Sequence, residues 1–232
     1  MTSTSSARGH RLLALHQSPM GRKLITGVTG LALATFVLIH MVGNLLFLVS
    51  AEGYNQYGYY LERLGLLLWL IEAILLGVVL IHIALGVQIF LGRLRARPQG
   101  YSAYASAGKP SYQTLSSRTM IVTGALVGGF LVWHLLTFKF GVRYTVPGSE
   151  MRDLSRLVIE KFQQPFYTCS YIAVMAMLAS HLRHGIWSAF QSLGALNAAV
   201  RPIAYGVSLF LAVGIGVGFV VLPLSIFFRW IT

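Results

Sequence analysis

The chain has few charged residues and a single cysteine. Charged side chains make up 10% of the 232 residues and hydrophobic ones 56%, whereas ordinary soluble domains have about 25% charged residues. This composition argues against a soluble protein, and it also excludes a disordered chain, because too few residues are polar. Cys169 is the only cysteine, so a disulfide scaffold is excluded as well.

Acidic residues are the scarcest charged group. Six Asp and Glu stand against 18 Lys and Arg, which gives a net charge of +12. The bases lie between long apolar runs and not in one basic patch. We therefore interpret the positive charge as a signal for membrane orientation, and we expect no nucleic-acid partner.

Five apolar segments are long enough to cross a lipid bilayer, which requires about 20 residues in a helix. They cover roughly residues 24–49, 66–91, 119–138, 166–190 and 203–228. The segments are rich in Leu, Ala and Gly and do not alternate strictly, which favours helices over strands. The sequence thus predicts an all-α integral membrane protein, a single membrane domain over residues 1–232 with an extramembrane arm at 1–19.

The basic residues also predict the orientation. With the N-terminus in the cytoplasm, eleven bases and no acid fall on the inner side, while seven bases and all six acids fall on the outer side. Positive charge concentrates on the cytoplasmic side of membrane proteins. We therefore expect a cytoplasmic N-terminus.

Four of the apolar segments each carry a histidine at a matched depth. Because a helix rises about 1.5 Å per residue, His40 and His134 lie about 23 Å from the inner surface, and His82 and His181 about 14 Å. One such histidine could make a plain hydrogen bond between helices, but ionisable groups inside spans are usually functional. Two depth-matched pairs in a four-helix bundle predict two metal centres.

The ligand set favours haem over zinc. A structural zinc site has four Cys or His ligands close together, whereas each predicted pair stands alone. Haem iron accepts two axial imidazoles because the porphyrin supplies the other ligands, and the absence of C-x-x-C-H indicates haem that is not covalently attached. We expect two b haems, the outer one held by His40 and His134 and the inner one by His82 and His181. A proton relay in a transporter is the rival interpretation, but a relay would stagger its groups across the bilayer.

A short repeat accompanies the histidines. Thr29-Gly30 precedes His40 by the same spacing as Thr123-Gly124 precedes His134. A helix places each threonine about 16 Å further inward than its histidine, so both dipeptides are expected near the inner haem. Glycine there would let a flat macrocycle approach the backbone, although close packing of small residues between helices explains the glycines equally well.

The roles of other polar residues can be interpreted less specifically. Glu72 lies about 15 Å outward of His82 and is a candidate proton acceptor from a quinol; snorkelling or pairing with Arg63 is an equal alternative. Four inner residues could bind haem propionates, although ordinary loop charge explains most of them as well: Arg22, Lys23, Arg183 and His184. Four tyrosines are interpreted as an outer interfacial belt: Tyr54, Tyr57, Tyr59 and Tyr60.

Several segments carry a family resemblance that extends over nearly the whole chain. They are residues 39–44 (IHMVGN), 82–87 (HIALGV), 132–134 (VWH) and, most specifically, 181–194 (HLRHGIWSAFQSLG). In these segments the chain resembles the dihaem cytochrome b membrane anchor of succinate dehydrogenase and fumarate reductase, in its single-chain five-helix form. The resemblance implies that His181 is the fourth haem ligand, while His184 matches a position where other polar residues occur.

The resemblance also implies partners and a location. The chain would anchor a flavoprotein and an iron–sulfur subunit on the cytoplasmic face of a bacterial inner membrane, and it would pass electrons to or from a quinone, often menaquinone. It would be part of an enzyme without carrying the succinate chemistry itself. Some family members have a proton-carrying glutamate where this chain has Ala179. A haem b anchor of another quinone-linked oxidoreductase is the nearest alternative.

Overall fold

The computed structural model describes residues 18–96 and 115–231. The predicted arm at 1–19 lies almost wholly outside these ranges. Four of the predicted inner bases also lie outside them: Arg8, Arg11, Arg97 and Lys109. Within the described ranges the regular elements are helices, and the only β contact is an isolated bridge between Thr145 and Arg152.

The described ranges contain eight α-helices. They are α1 (Pro19–Leu45), α2 (Ala51–Glu62), α3 (Leu66–Ala96), α4 (Leu115–Arg118), α5 (Met120–His134), α6 (Leu154–Phe162), α7 (Pro165–Ser192) and α8 (Val200–Phe227). A 3₁₀ turn, Leu46–Leu48, follows α1, and a π-helical turn, Leu135–Lys139, follows α5. The all-helical prediction is confirmed for this part of the chain.

Four helices are long and apolar enough to cross a membrane: α1 with its 3₁₀ turn, α3, α5 with its π turn, and α8. This is consistent with a multi-pass membrane protein. Helix α7, the predicted fourth span, has 28 residues and is long enough, but it is less apolar than the other four. It carries three strongly polar side chains near its end, at His181, Arg183 and His184, besides several hydroxyls.

Four of the long helices form a closed ring. Helix α1 packs on α3, α3 on α5, α5 on α7, and α7 on α1. Helix α8 packs outside this ring, against α7 and α1. Because α1 and α5 are opposite each other in the ring, as are α3 and α7, residues from opposite helices can meet only across its centre.

Local sequence determines where several helices begin. Ser18 accepts a hydrogen bond from the Gly21 amide at 2.9 Å, and Pro19 occupies the first turn of α1. Ser50 caps α2 in the same way, accepting from the Gly53 amide at 3.0 Å. Both arrangements satisfy amide groups that have no partner within the helix.

Glycines allow α8 to lie close against its neighbours. A Cβ on Gly216 would lie 3.0 Å from the Cβ of Ala179 in α7, and one on Gly218 would collide with Met41 in α1. A Cβ on Gly214, by contrast, would have no atom from another helix of the described chain within 4 Å. The short distance from Gly216 places Ala179 on the face of α7 that packs against α8.

Two short helices that the sequence did not predict cover one end of the ring, namely the end that the sequence analysis assigns to the outer side. Asn55 of α2 is buried and donates to Asp153 at 3.0 Å and to Ser155 at 3.1 Å, which ties α2 to the start of α6. Tyr54 is only 6% exposed and packs in a cluster with Phe47, Phe162 and Tyr171. The prediction of an interfacial belt is therefore wrong for Tyr54, whereas Tyr60 is 66% exposed.

Charges separate strongly between the two ends. All six acids lie at the end that α2 and α6 cover, where Lys139 pairs with Glu72, Arg143 with Glu62 and Lys161 with Glu160. The opposite end of the described chain carries bases and no acid: Arg22, Lys23, Arg93, Arg95, Arg118, Arg183 and Arg201.

Candidate metal centres in the bundle core

A cavity of about 2130 Å³ occupies the centre of the ring. Its walls come from α1, α3, α5 and α7, and all four predicted ligand histidines line it. Cavities that hold one small molecule usually measure about 300–1,000 Å³. The space is therefore large enough for more than one bound group.

The outer histidines meet across the centre of the ring. The imidazole centroids of His40, on α1, and His134, on α5, are 5.8 Å apart. Phe36 stacks beside His40 at 5.6 Å, and Phe130 stacks beside His134 at 5.7 Å. Aromatic rings thus hold both imidazoles in an apolar setting.

The inner histidines meet in the same way from the other two helices. The centroids of His82, on α3, and His181, on α7, are 6.4 Å apart. The structure therefore places the four histidines in the two pairs that helical depth predicts. Each pair joins opposite helices of the ring.

The spacing within each pair suits two imidazoles on opposite sides of one metal. A metal–imidazole bond is about 2.0–2.1 Å long and each nitrogen lies roughly 1 Å from its ring centroid, so such centroids are about 6 Å apart. Edge-to-face aromatic contacts fall in the same range, so spacing alone is not decisive. The hydrogen bonds of the inner histidines indicate, in addition, which imidazole nitrogen is free to bind a metal.

Thr29 and Thr123 hold the inner histidines in matching ways. The Oγ1 of Thr29 lies 3.2 Å from Nδ1 of His82, and the Oγ1 of Thr123 lies 3.2 Å from Nδ1 of His181. Each hydroxyl also donates to backbone carbonyls of its own helix, Thr29 to Ile25 at 2.8 Å. Because its proton is used there, each hydroxyl accepts from Nδ1–H, which leaves Nε2 as the free base that a metal requires.

Gly30 and Gly124 allow the inner imidazoles to lie close to the backbones of α1 and α5. A Cβ on Gly30 would lie 3.0 Å from Cε1 of His82, and one on Gly124 would lie 3.2 Å from Cε1 of His181. The repeated Thr-Gly pair therefore contacts the histidine of the neighbouring helix directly, which neither reading of the repeat anticipated.

The outer histidines also have polar partners, one from another helix and one from the same helix. Tyr171 of α7 lies with its hydroxyl 3.2 Å from Nδ1 of His134. Asn44 donates to the carbonyl of His40 at 2.8 Å and accepts from the Tyr54 hydroxyl at 3.0 Å. Burial raises the pKa of Tyr54 far above its usual value, so this phenol remains a donor. No sequence spacing connects Tyr171 to His134, and sequence reasoning missed it.

The predicted inner cations divide into two groups. Lys23 and His184 line the cavity, whereas Arg22 and Arg183 are not among its lining residues. The guanidinium of Arg183 hydrogen-bonds to Tyr205 of α8 and lies over its ring. Two further inner bases that sequence reasoning did not select, Arg93 and Arg118, also line the cavity.

Glu72 lies at the outer end of the cavity with a different partner from the one considered. Its carboxylate pairs with Lys139, and the Lys139 ammonium lies 5.5 Å from the centroid of the Trp69 ring. All three side chains line the cavity. Arg63, the partner considered from sequence, instead lies over the ring of Tyr59 at 5.7 Å.

The described residues offer two imidazoles at each candidate centre. Among the described residues no group of three or more His, Cys, Asp or Glu could hold an ion together. Two imidazoles per centre therefore suit a metal whose other ligands come with the cofactor. Gly86 and Gly185, one turn from His82 and His181, line the cavity and have open space in front of them, which leaves room for a flat group against the backbone.

Comparisons with protein-family models, with curated proteins and with solved structures find no match.

Proposed function

We propose that the chain is a dihaem cytochrome b that anchors a succinate:quinone oxidoreductase in the membrane. The observation that carries this proposal is the pair of imidazole contacts in one cavity, with centroids 5.8 and 6.4 Å apart. In this proposal His40 and His134 ligate the outer haem b, and His82 and His181 the inner one. The bound haems would supply one-electron transfer along the membrane normal.

The chain's own side chains would prepare both centres. Thr29 and Thr123 would accept the Nδ1–H protons and leave Nε2 free to bind iron, a supporting contact that metal-bound histidines usually have. The Tyr171 hydroxyl, 3.2 Å from Nδ1 of His134, would hold that imidazole in place through a hydrogen bond. Phe36 and Phe130 stack beside the outer imidazoles and would give the outer centre an apolar setting.

Cations at the inner end would bind the carboxylates of the inner haem. Lys23, Arg93, Arg118 and His184 all line the cavity there. Charge-assisted hydrogen bonds to carboxylates are stronger than neutral ones. Arg22 and Arg183 lie outside the cavity lining, so the proposal gives them no direct role.

A quinone would react near the outer pair. Glu72, Lys139 and Trp69 form a polar and aromatic group at the outer end of the cavity. In the proposal Glu72 would accept a proton from the quinol, and the ion pair with Lys139 holds its carboxylate at the outer end of the cavity. The resemblance favours menaquinone.

The orientation and partners follow from the charge separation. With α7 as the fifth span, the base-rich end faces the cytoplasm of a bacterial inner membrane, in agreement with the positive-inside rule. The iron–sulfur subunit would dock at this end, close to the inner haem, and the flavoprotein would carry the succinate chemistry. Electrons would then pass between the iron–sulfur subunit, the inner haem, the outer haem and the quinone.

Purification of the tagged chain from its native membranes tests the assignment. We expect a flavoprotein and an iron–sulfur subunit to copurify, and succinate to reduce part of the haem that dithionite reduces. Haem that only dithionite reduces, with a different set of partners, would indicate an anchor for another quinone-linked oxidoreductase. A haem-free chain would favour a histidine-based transporter.

A further inference from the structure

A buried arginine lies at the outer end of the cavity without a carboxylate partner. Arg152 is 8% exposed and lines the cavity. Its Nη2 donates to the Phe138 carbonyl at 2.8 Å, whereas its Nε–H has no partner. Among the described residues no carboxylate is paired with it, and Glu62, whose charge acts on Arg152, is bound to Arg143 at 2.6 Å.

Arg152 is connected to His134 through Phe138, and to His40 through an electrostatic interaction with Tyr54. Phe138, whose carbonyl it binds, has its ring 5.4 Å from the ring of His134. The charge of Arg152 also acts on Tyr54, and Tyr54 hydrogen-bonds to Asn44, which in turn binds the carbonyl of His40. Arg152 therefore belongs to the surroundings of the outer pair and not of the inner pair.

A structural role accounts for only part of this arginine. Phe138 lies in the π turn at the end of the third span, where unpaired carbonyls carry partial negative charge, so Nη2 caps that end. Burial lowers the pKa of Arg152, yet a guanidinium stays protonated at neutral pH. A buried cation with an unused N–H is unfavourable unless an anionic group binds it.

We infer that Arg152 binds a carboxylate of the group held by His40 and His134, namely a propionate of the outer haem. This inference rests on the proposed function and extends it, because the cations considered from sequence all lie at the inner end. The buried Nε–H has no partner in the structure, and together with a neighbouring Nη–H it can bind a carboxylate in the fork geometry that these two groups share.

Haem with masked carboxylates provides the test. The full-length chain carries His181→Ala, so that the outer pair is the only complete one, and is produced in haem-deficient membranes. It is then loaded with haem b or with haem b dimethyl ester. We expect the outer site to bind the free acid about tenfold or more better than the ester, as a charge-assisted hydrogen bond predicts.

Variants at Arg152 then test whether this residue causes the preference for the free acid over the ester. Arg152→Gln keeps an amide donor for the Phe138 carbonyl but loses the charge, so the preference should fall close to one, while Arg152→Lys should keep most of it. Arg143→Gln is the matched control, since Arg143 is exposed and bound to Glu62. The midpoint potential of the outer haem should also fall in Arg152→Gln, because a nearby cation stabilises the reduced state.

Three outcomes would overturn the inference. The first is equal binding of the free acid and the ester by the chain that keeps Arg152. This outcome needs no variant at Arg152, so it decides the question even if Arg152→Gln fails to fold. An unchanged preference in Arg152→Gln would leave Arg152 as a helix cap only. In both cases the proposed function would stand, whereas failure of the chain with both pairs intact to bind either haem would overturn it together with this inference.

Discussion

The hydroxyls of Thr29 and Thr123 explain, at the scale of single residues, why the inner histidines point into the cavity. Each hydroxyl donates its proton to a backbone carbonyl one turn earlier in the chain and accepts a hydrogen bond from an imidazole Nδ1 that lies 3.2 Å away. The same two contacts connect α1 to α3 and α5 to α7. The short repeat visible in the sequence is thus a repeated hydrogen bond between neighbouring helices.

Removing one hydroxyl should weaken the inner centre. Thr29→Val keeps the shape of the side chain but leaves Nδ1–H of His82 without this acceptor, and loss of such a supporting contact typically costs 10–100-fold in metal affinity. Haem retention during dilution in detergent measures the effect. Thr35→Val is the control. The Thr35 hydroxyl also donates to a carbonyl of α1, that of Leu31, at 3.0 Å, but Thr35 is exposed. Equal haem loss in both variants would contradict the role of Thr29.

The assignment of the fourth ligand gives a second prediction. His181 faces His82 across the cavity, whereas His184 lines the cavity without a ring partner among the described residues. His82→Ala or His181→Ala should remove the inner haem, while His184→Ala should leave both irons with two histidines. Optical and paramagnetic resonance spectra of the variants distinguish the two centres. Loss of the inner haem in His184→Ala, with His181→Ala unaffected, would show that the ligand assignment is wrong.

Residue-scale prediction succeeded where distance along one helix determines position. The pairing of His40 with His134 follows from a constant rise per residue, and the structure brings these rings together. Tyr171, which contacts His134, and Arg152, which contacts Phe138 beside it, were missed because they come from other elements, and no spacing in the sequence relates them to His134. The sequence also could not tell that Lys139, and not Arg63, would reach Glu72.

At the scale of elements, the long helices were predictable and the short ones were not. The five apolar runs correspond to α1, α3, α5, α7 and α8, with ends within a few residues of those expected. Helices α2 and α6 have 12 and nine residues, too few for an apolar run to identify them. Their position depends on contacts between loops, such as the one from Asn55 to Asp153.

Asp153 should make the outer cover sensitive to acid. Burial by itself raises the pKa of Asp153, but hydrogen bonds from the Arg156 amide, Ser155 and Asn55 outweigh it and hold the pKa below its usual value. The stabilisation is therefore complete above the unfolded pKa, near 4, and is lost as the pH falls through the lower folded value. Hydrogen exchange of the α6 amides should accelerate in that range.

Substitutions at this position separate the cap from its charge. Asp153→Ala should destabilise α6 by about 0.5–2 kcal/mol at neutral pH, as loss of an N-cap does. Asp153→Asn can still accept the same hydrogen bonds, so α6 should stay protected and lose most of the acid dependence. Acid-sensitive exchange that is identical in Asp153→Asn would show that another group is responsible.

At the scale of the whole molecule, the two ends differ in charge and in construction. One end collects all six acids under α2 and α6, and the other presents bases without acids in the described part of the chain. The sequence predicted this separation, because the positions of the bases and acids relative to the apolar runs assign each one to an end of the bundle. The ring arrangement, with α8 outside it, depends on contacts such as those of Gly216 and Gly218, which composition does not reveal.

The basic end should bind an acidic partner subunit. Reversing Arg95 and Arg97 to Glu should weaken copurification of the iron–sulfur subunit and make the remaining association less favourable at low salt, because like charges repel most when screening is weak. Haem content should not change. Arg63→Glu, at the other end and exposed, is the control. Cross-links from the hydrophilic subunits to residues 139–161 would invert the proposed topology.

Counting haem per chain tests the central claim most directly. The claim is that two imidazole pairs in one bundle cavity each hold an iron porphyrin. Pyridine haemochromogen analysis of the purified intact chain should give two b haems per polypeptide, and its reduced-minus-oxidised spectrum should show low-spin, six-coordinate iron. One haem per chain, or none, would contradict the account.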